Sequence, residues 1–163
     1  MGIDVGQLID YVIKPSQKMI DLYSRDSEEL VLGTAAQESG LGTYLHQLGG
    51  GPALSMFQIE PVTYWSMWND FLAYKPDLKT KILSSCGYAT VPHEDFMITN
   101  LMYAAMMCRI RYFWVSEKLP AFGDIEGQGA YWAKYYNGNP VNGVAGHYVD
   151  SFNHYVGNFY ARP

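Results

Sequence analysis

The segment from about Glu94 to Ser116 constrains this chain most. Met97, Ile98, Leu101, Met102, Ala105, Met106, Cys108 and Ile110 recur at helical spacing but occupy more than one side of the helix. A helix that is apolar on several sides belongs inside a protein, not on its surface. The segment therefore predicts a long buried central helix. Around it the pattern is mostly helical. Val5, Leu8, Ile9, Val12 and Ile13 form one stripe, which Pro15 is expected to interrupt, with Met19, Ile20, Leu22 and Tyr23 continuing as a second short helix. Ser27 is a candidate cap for a helix running to Glu38. Pro61 can open a helix carrying Tyr64, Trp65, Trp68 and Phe71, and Asp77 to Leu83 reads as another. Gly49-Gly50-Gly51-Pro52 requires a loop, and Gly123 to Gly129 reads as one. Tyr131 to Tyr136 is helical, stopping at Asn137-Gly138. Tyr148, Phe152, Tyr155 and Phe159 mark a final amphipathic helix. The expected fold is mainly α, one domain over residues 1–163, with at most a small β-hairpin.

Bulk properties narrow the function. A length of 163 residues suits one domain with a sizeable core. A formal net charge of -5 argues against general nucleic-acid binding, which calls for a basic face. No apolar run reaches membrane-spanning length. Residues 1–12 carry Asp4 and Asp10 and lack a basic segment before an apolar stretch, so no secretory signal is expected. Cys86 and Cys108 have no metal-ligand spacing and are expected as reduced structural thiols, although a disulfide between them stays open. His46, His93, His147 and His154 form no metal-binding pattern, so neither metal nor cofactor is expected. Fourteen Tyr and four Trp furnish either an aromatic core or a cleft of flat amphipathic rings suited to sugars.

Glu38 is the leading candidate for chemistry. It follows the apolar run Leu30, Val31, Leu32, Ala35, Ala36 and precedes Ser39-Gly40. A carboxyl backed by apolar neighbours at the mouth of a cleft is disfavoured in its charged form and can serve as a general acid near neutral pH. Two further segments fall in order behind it: Ser55-Met56-Phe57-Gln58-Ile59-Glu60-Pro61-Val62-Thr63 and Tyr135-Tyr136-Asn137-Gly138-Asn139-Pro140.

Together with Ala35-Ala36-Gln37-Glu38-Ser39-Gly40, these segments resemble the lytic transglycosylase family of the lysozyme superfamily, with its goose-lysozyme-like catalytic domain. In that family Glu-Ser ends a helix. A Gly-Leu-Met-Gln segment and a Pro-x-Thr follow, and a Tyr-Asn-x-Gly-like turn lies near the C-terminal end. Asn100, at the head of the long segment, also suits it. The likeness covers about residues 28 to 140. Ser55 departs from the family's glycine. The loop from His46 to Leu54 lacks the usual Ser-x-x-Gly-Ala, and the turn reads Asn137-Gly138-Asn139 in place of Asn-Ala-Gly.

The resemblance implies a single catalytic acid, Glu38, acting on the β-1,4 bond between N-acetylmuramic acid and N-acetylglucosamine in peptidoglycan. The sugar's acetamido group would assist, and the C6 hydroxyl would close a 1,6-anhydro ring. Gln58 is expected either to hold a sugar amide or to brace its own loop. Tyr136 is expected either to bond Glu38 or the acetamido group, or to be a core ring with its hydroxyl satisfied. Met56 and Phe57 are expected as cleft floor, Ser55 as backbone behind the sugar, and Asn137 as a turn residue or a contact. Glu60 either faces the cleft or caps the helix at Pro61. A goose-type hydrolase would instead activate water with Asp95 or Glu60. A non-catalytic virion or adaptor protein on the same fold is the third alternative. Without a signal, delivery would suit a phage virion component, an endolysin released through a holin-type pore, or an effector exported by dedicated machinery.

Overall fold

The computed structural model describes residues 2–138, 141 and 144–161. It is mainly helical, and one continuous buried core runs through it. The helices are α1 (Val5–Leu8), α2 (Lys14–Met19), α3 (Arg25–Ser39), α4 (Pro61–Ser66), α5 (Pro76–Ser85), α6 (Phe96–Thr99), α7 (Leu101–Phe113), α8 (Ile125–Tyr135) and α9 (Val144–Tyr155). Among the described residues the only β pairing is two isolated antiparallel bridges, His46 with Leu54 and Leu54 with Ile59. No described helix is long and apolar enough to cross a membrane.

Two helices share the centre. α7 is buried along most of its length, and α3 equally so, with Leu30, Val31, Leu32, Ala35 and Ala36 all sealed from solvent. The hydroxyls of Thr34 and Tyr112 meet at 2.7 Å between them. The expected single long helix from Glu94 is in fact two pieces. Asn100 leaves helical geometry (φ -127°, ψ 100°), and its side chain accepts a hydrogen bond from the Tyr103 backbone N–H at 2.9 Å. Asn gains more as a cap than inside a helix, so it starts α7 instead of continuing α6.

Pro15 does not interrupt its helix. The turn before it, Ile9–Ile13, widens to π-type spacing, and the helix runs through to Met19. The wider turn makes room for the proline ring that a regular helix denies. Ile20, Leu22 and Tyr23 lie beyond the helix end. Ser24, not Ser27, caps α3. The Ser24 side chain accepts from the Ser27 N–H, and the Ser27 hydroxyl accepts from the Ser24 N–H, a reciprocal box.

The expected loop at Gly123 to Gly129 is mostly helix. Asp124 caps α8 by accepting from the Gly127 N–H at 3.0 Å. Gly129 serves close packing, since a Cβ there would lie 2.7 Å from the Ala145 carbonyl oxygen on α9. The buried Glu29 carboxylate accepts from the Gly123 N–H and from the Gln128 amide, both at 2.6 Å, and so ties the start of α8 to α3. On α9, Tyr148 and Phe152 face the core, but Tyr155 is half out, and Phe159 belongs to a separate short turn, Phe159–Ala161. Cys86 and Cys108 are both free thiols.

Candidate functional site

Glu38 sits in the last turn of α3, and the helix stops two residues later at Gly40. Gly40 has φ +58°, a left-handed geometry that glycine adopts without strain. A Cβ there would also come within 2.8 Å of the Tyr155 hydroxyl. The Glu38 side chain is held from α8: the Trp132 indole N–H donates to its Oε1 at 2.8 Å. Its backbone carbonyl accepts from the Tyr44 hydroxyl at 2.7 Å. The carboxyl is thus aimed by one helix and anchored by another.

Burial dominates its electrostatics. Loss of water disfavours the charged form and pushes the Glu38 carboxyl up from 4.5 to about 7, against the opposing pull of the Trp132 hydrogen bond and the Arg111 charge. At neutral pH a large share of the molecules therefore hold the proton.

Beneath the acid, residues 55–58 make a tight turn closed by paired backbone bonds between Leu54 and Ile59. Ser55 (φ +67°) and Gln58 (φ +48°) are both left-handed, a geometry that costs a non-glycine residue about 1–2 kcal/mol. Neighbouring elements hold the turn in place. The Ser39 hydroxyl donates to the Met56 carbonyl at 2.7 Å, and the Tyr136 hydroxyl donates to the Phe57 carbonyl at 2.7 Å. The Gln58 amide N–H donates to the Ser55 carbonyl at 2.7 Å. A glycine at position 55 would adopt this geometry without strain, but Ser55 occupies it and adds a bond, its hydroxyl accepting from the Phe57 N–H at 3.2 Å.

These elements enclose a cleft of about 580 Å³, within the range of small-molecule sites. Glu38, Gln58, Tyr136 and Asn137 line it, joined by Tyr44, Gln47, Glu60, Thr63 and Arg111. Three of the sequence-based site residues do not line it. Ser55, Met56 and Phe57 have fully buried side chains, and the turn uses their backbone carbonyls instead. Tyr136 is a core ring with its hydroxyl satisfied by Phe57, not a partner of Glu38. Gln58 braces its own turn and still lines the cleft. Of the two carboxylates suggested for activating water, Glu60 lines the cleft. Asp95 is exposed and pairs with His93 at 3.4 Å instead. Asn139 and Pro140 of the C-terminal turn lie outside the described residues.

Trp132, Arg111 and Tyr44 were not anticipated. Trp132 precedes Tyr136 by one helical turn, which places it on that residue's side of α8 but carries no sign of Glu38. Arg111 lay hidden in the apolar pattern of α7. Among the described residues no group of three or more His, Cys, Asp or Glu side chains gathers as a metal site. No family model, curated protein or solved structure matches this chain.

Proposed function

We propose that this chain cleaves the β-1,4 glycosidic bond of peptidoglycan as a lytic transglycosylase, with Glu38 as its general acid. The observation that carries the reading is the state of Glu38. It is a carboxyl in a sugar-sized cleft, aimed by Trp132 and titrating at about 7. Breaking a glycosidic bond requires a proton on the leaving oxygen as positive charge develops on the ring. A buried, protonated carboxyl supplies it near neutral pH. Once ionised, the same carboxylate takes the proton from the C6 hydroxyl as that oxygen closes onto C1. The bond to the leaving sugar breaks, the C6–O–C1 bond forms, and Glu38 ends as it began. The acetamido group of the substrate carries the charge that a nucleophilic carboxylate would otherwise meet.

Glu60 favours a second reading. It is the other carboxylate lining the cleft among the described residues, and it would be the base of a water-using hydrolase. Mass spectrometry of products from purified peptidoglycan separates the two. Anhydro-muramic ends are expected, and reducing ends would assign the hydrolase. Glu38→Gln should lower turnover about a hundred- to ten-thousand-fold while the fold stays native. Undiminished cleavage by that variant would reject the assignment. For the transglycosylase kcat/KM should show a single alkaline limb, falling as pH rises through about 7. A hydrolase that needs an ionised second carboxylate adds an acid limb.

A further inference from the structure

Beyond the pull of its charge on Glu38, Arg111 has no part in the chemistry just described, and its setting calls for one. It is the only Lys or Arg among the described residues lining the cleft, where Glu38 and Glu60 are the carboxylates. Its guanidinium lies over the Tyr136 ring, 3.9 Å from the centroid, and donates one hydrogen bond to the Tyr136 carbonyl. Among the described residues no carboxylate lies within ion-pair distance of it. The group is therefore fixed in direction by stacking and a backbone bond, while its remaining N–H donors stay uncommitted.

Position adds a second observation. Arg111 and Thr63 line both the main cleft and a shallower groove of about 270 Å³, completed by Trp114, Val115 and Tyr135. Arg111 thus stands where a side branch leaves the cleft. A β-1,4 glycan of N-acetylated sugars is itself neutral. In peptidoglycan the carboxylates hang from the 3-oxygen of every second sugar, as a free lactyl group or within a peptide joined to it. A planar fork of N–H donors matches a carboxylate bidentately.

We infer that Arg111 is a specificity residue that binds a carboxylate carried on the 3-oxygen substituent of the glycan, with the groove beside Trp114 and Tyr135 receiving that substituent. The inference rests on the glycan-cleaving reading and names the substrate feature that the cleft selects.

Binding to the uncleaving Glu38→Gln protein by isothermal titration tests it, and the effect of Arg111 on the protonation of Glu38 drops out of that background. Four tetrasaccharides serve as probes: chitotetraose, and a muramic-acid-containing chain whose lactyl group is a free acid, a neutral methylamide, or an amide to an L-Ala-D-Glu dipeptide. A carboxylate-bearing probe should bind about tenfold more tightly than the methylamide. Preference for the free lactyl acid or for the dipeptide tells which carboxylate is read. Adding Arg111→Gln should bring that preference to within about twofold, and Arg111→Lys should leave part of it, because the charge survives but the fork does not. A purely structural role, holding the Tyr136 carbonyl, would weaken all four probes alike and leave the preference intact. That result, or equal binding of acid and methylamide, overturns the inference. If the folded protein binds none of the four, the glycan reading falls and takes this inference with it.

Discussion

Replacing Glu38 with Gln should alter how stability depends on pH, by an amount set by burial. The carboxyl titrates at about 7 in the folded chain and at its ordinary 4.5 when unfolded. Each pH unit of that gap corresponds to about 1.4 kcal/mol, so ionised Glu38 costs the fold about 3 kcal/mol. The sign follows from the order of the two values. Between them the folded chain binds more protons than the unfolded chain, so stability falls as pH rises through that window and levels off above about pH 8. Part of the loss has already occurred at pH 5, which leaves about 2.5 kcal/mol between pH 5 and 8.5. Gln does not titrate, and its carbonyl can still accept the Trp132 N–H. Urea unfolding of both proteins at half-unit pH steps measures the difference, in which other titrating groups largely cancel. The variant should gain about 2.5 kcal/mol on wild type from pH 5 to 8.5. A difference that stays flat, or that grows in favour of wild type, refutes the burial argument.

Trp132→Phe removes a hydrogen bond that favours the ionised acid, so the alkaline limb of kcat/KM should move to higher pH; pH-rate profiles of the two proteins check it. Tyr136→Phe leaves the buried Phe57 carbonyl unpaired and should cost about 1–3 kcal/mol in urea unfolding. Gly33→Ala places a methyl group against the Tyr148 hydroxyl and ring, where α3 meets α9. It should cost about 1–3 kcal/mol, read as a lower melting temperature.

The helices with a one-sided or enveloping apolar pattern were legible from sequence, because burial writes periodicity directly. α3, α4, α5, α7 and α9 all follow from it. The break at Asn100 was not legible, because apolar residues continue on both sides and the cap competes only locally. The helical start of α8 was hidden by its glycines: Gly129 serves close approach to α9, and Gly127 lies against the capping Asp124, so neither marks a turn. Glu38 could be picked out by its apolar backing and the glycine after it. Its orienting partner could not, since Trp132 lies 94 residues further along and no local pattern carries that pairing. Met56 and Phe57 misled for a related reason: sequence displays side chains, but the site uses their carbonyls.

Those two carbonyls have a mechanical consequence. Met56 is latched to the end of α3 and Phe57 to the residue that closes α8, so the acid, its indole partner and the turn below them form one stiff jaw. Another rim of the cleft carries Gln47 and Leu48, and they lead into Gly49 and Gly50, where an added Cβ would meet nothing within 4 Å. On the proposed glycan-cleaving reading, widening of the cleft to admit a polymer falls to that rim, and stapling it should slow cleavage of long strands while sparing short ones.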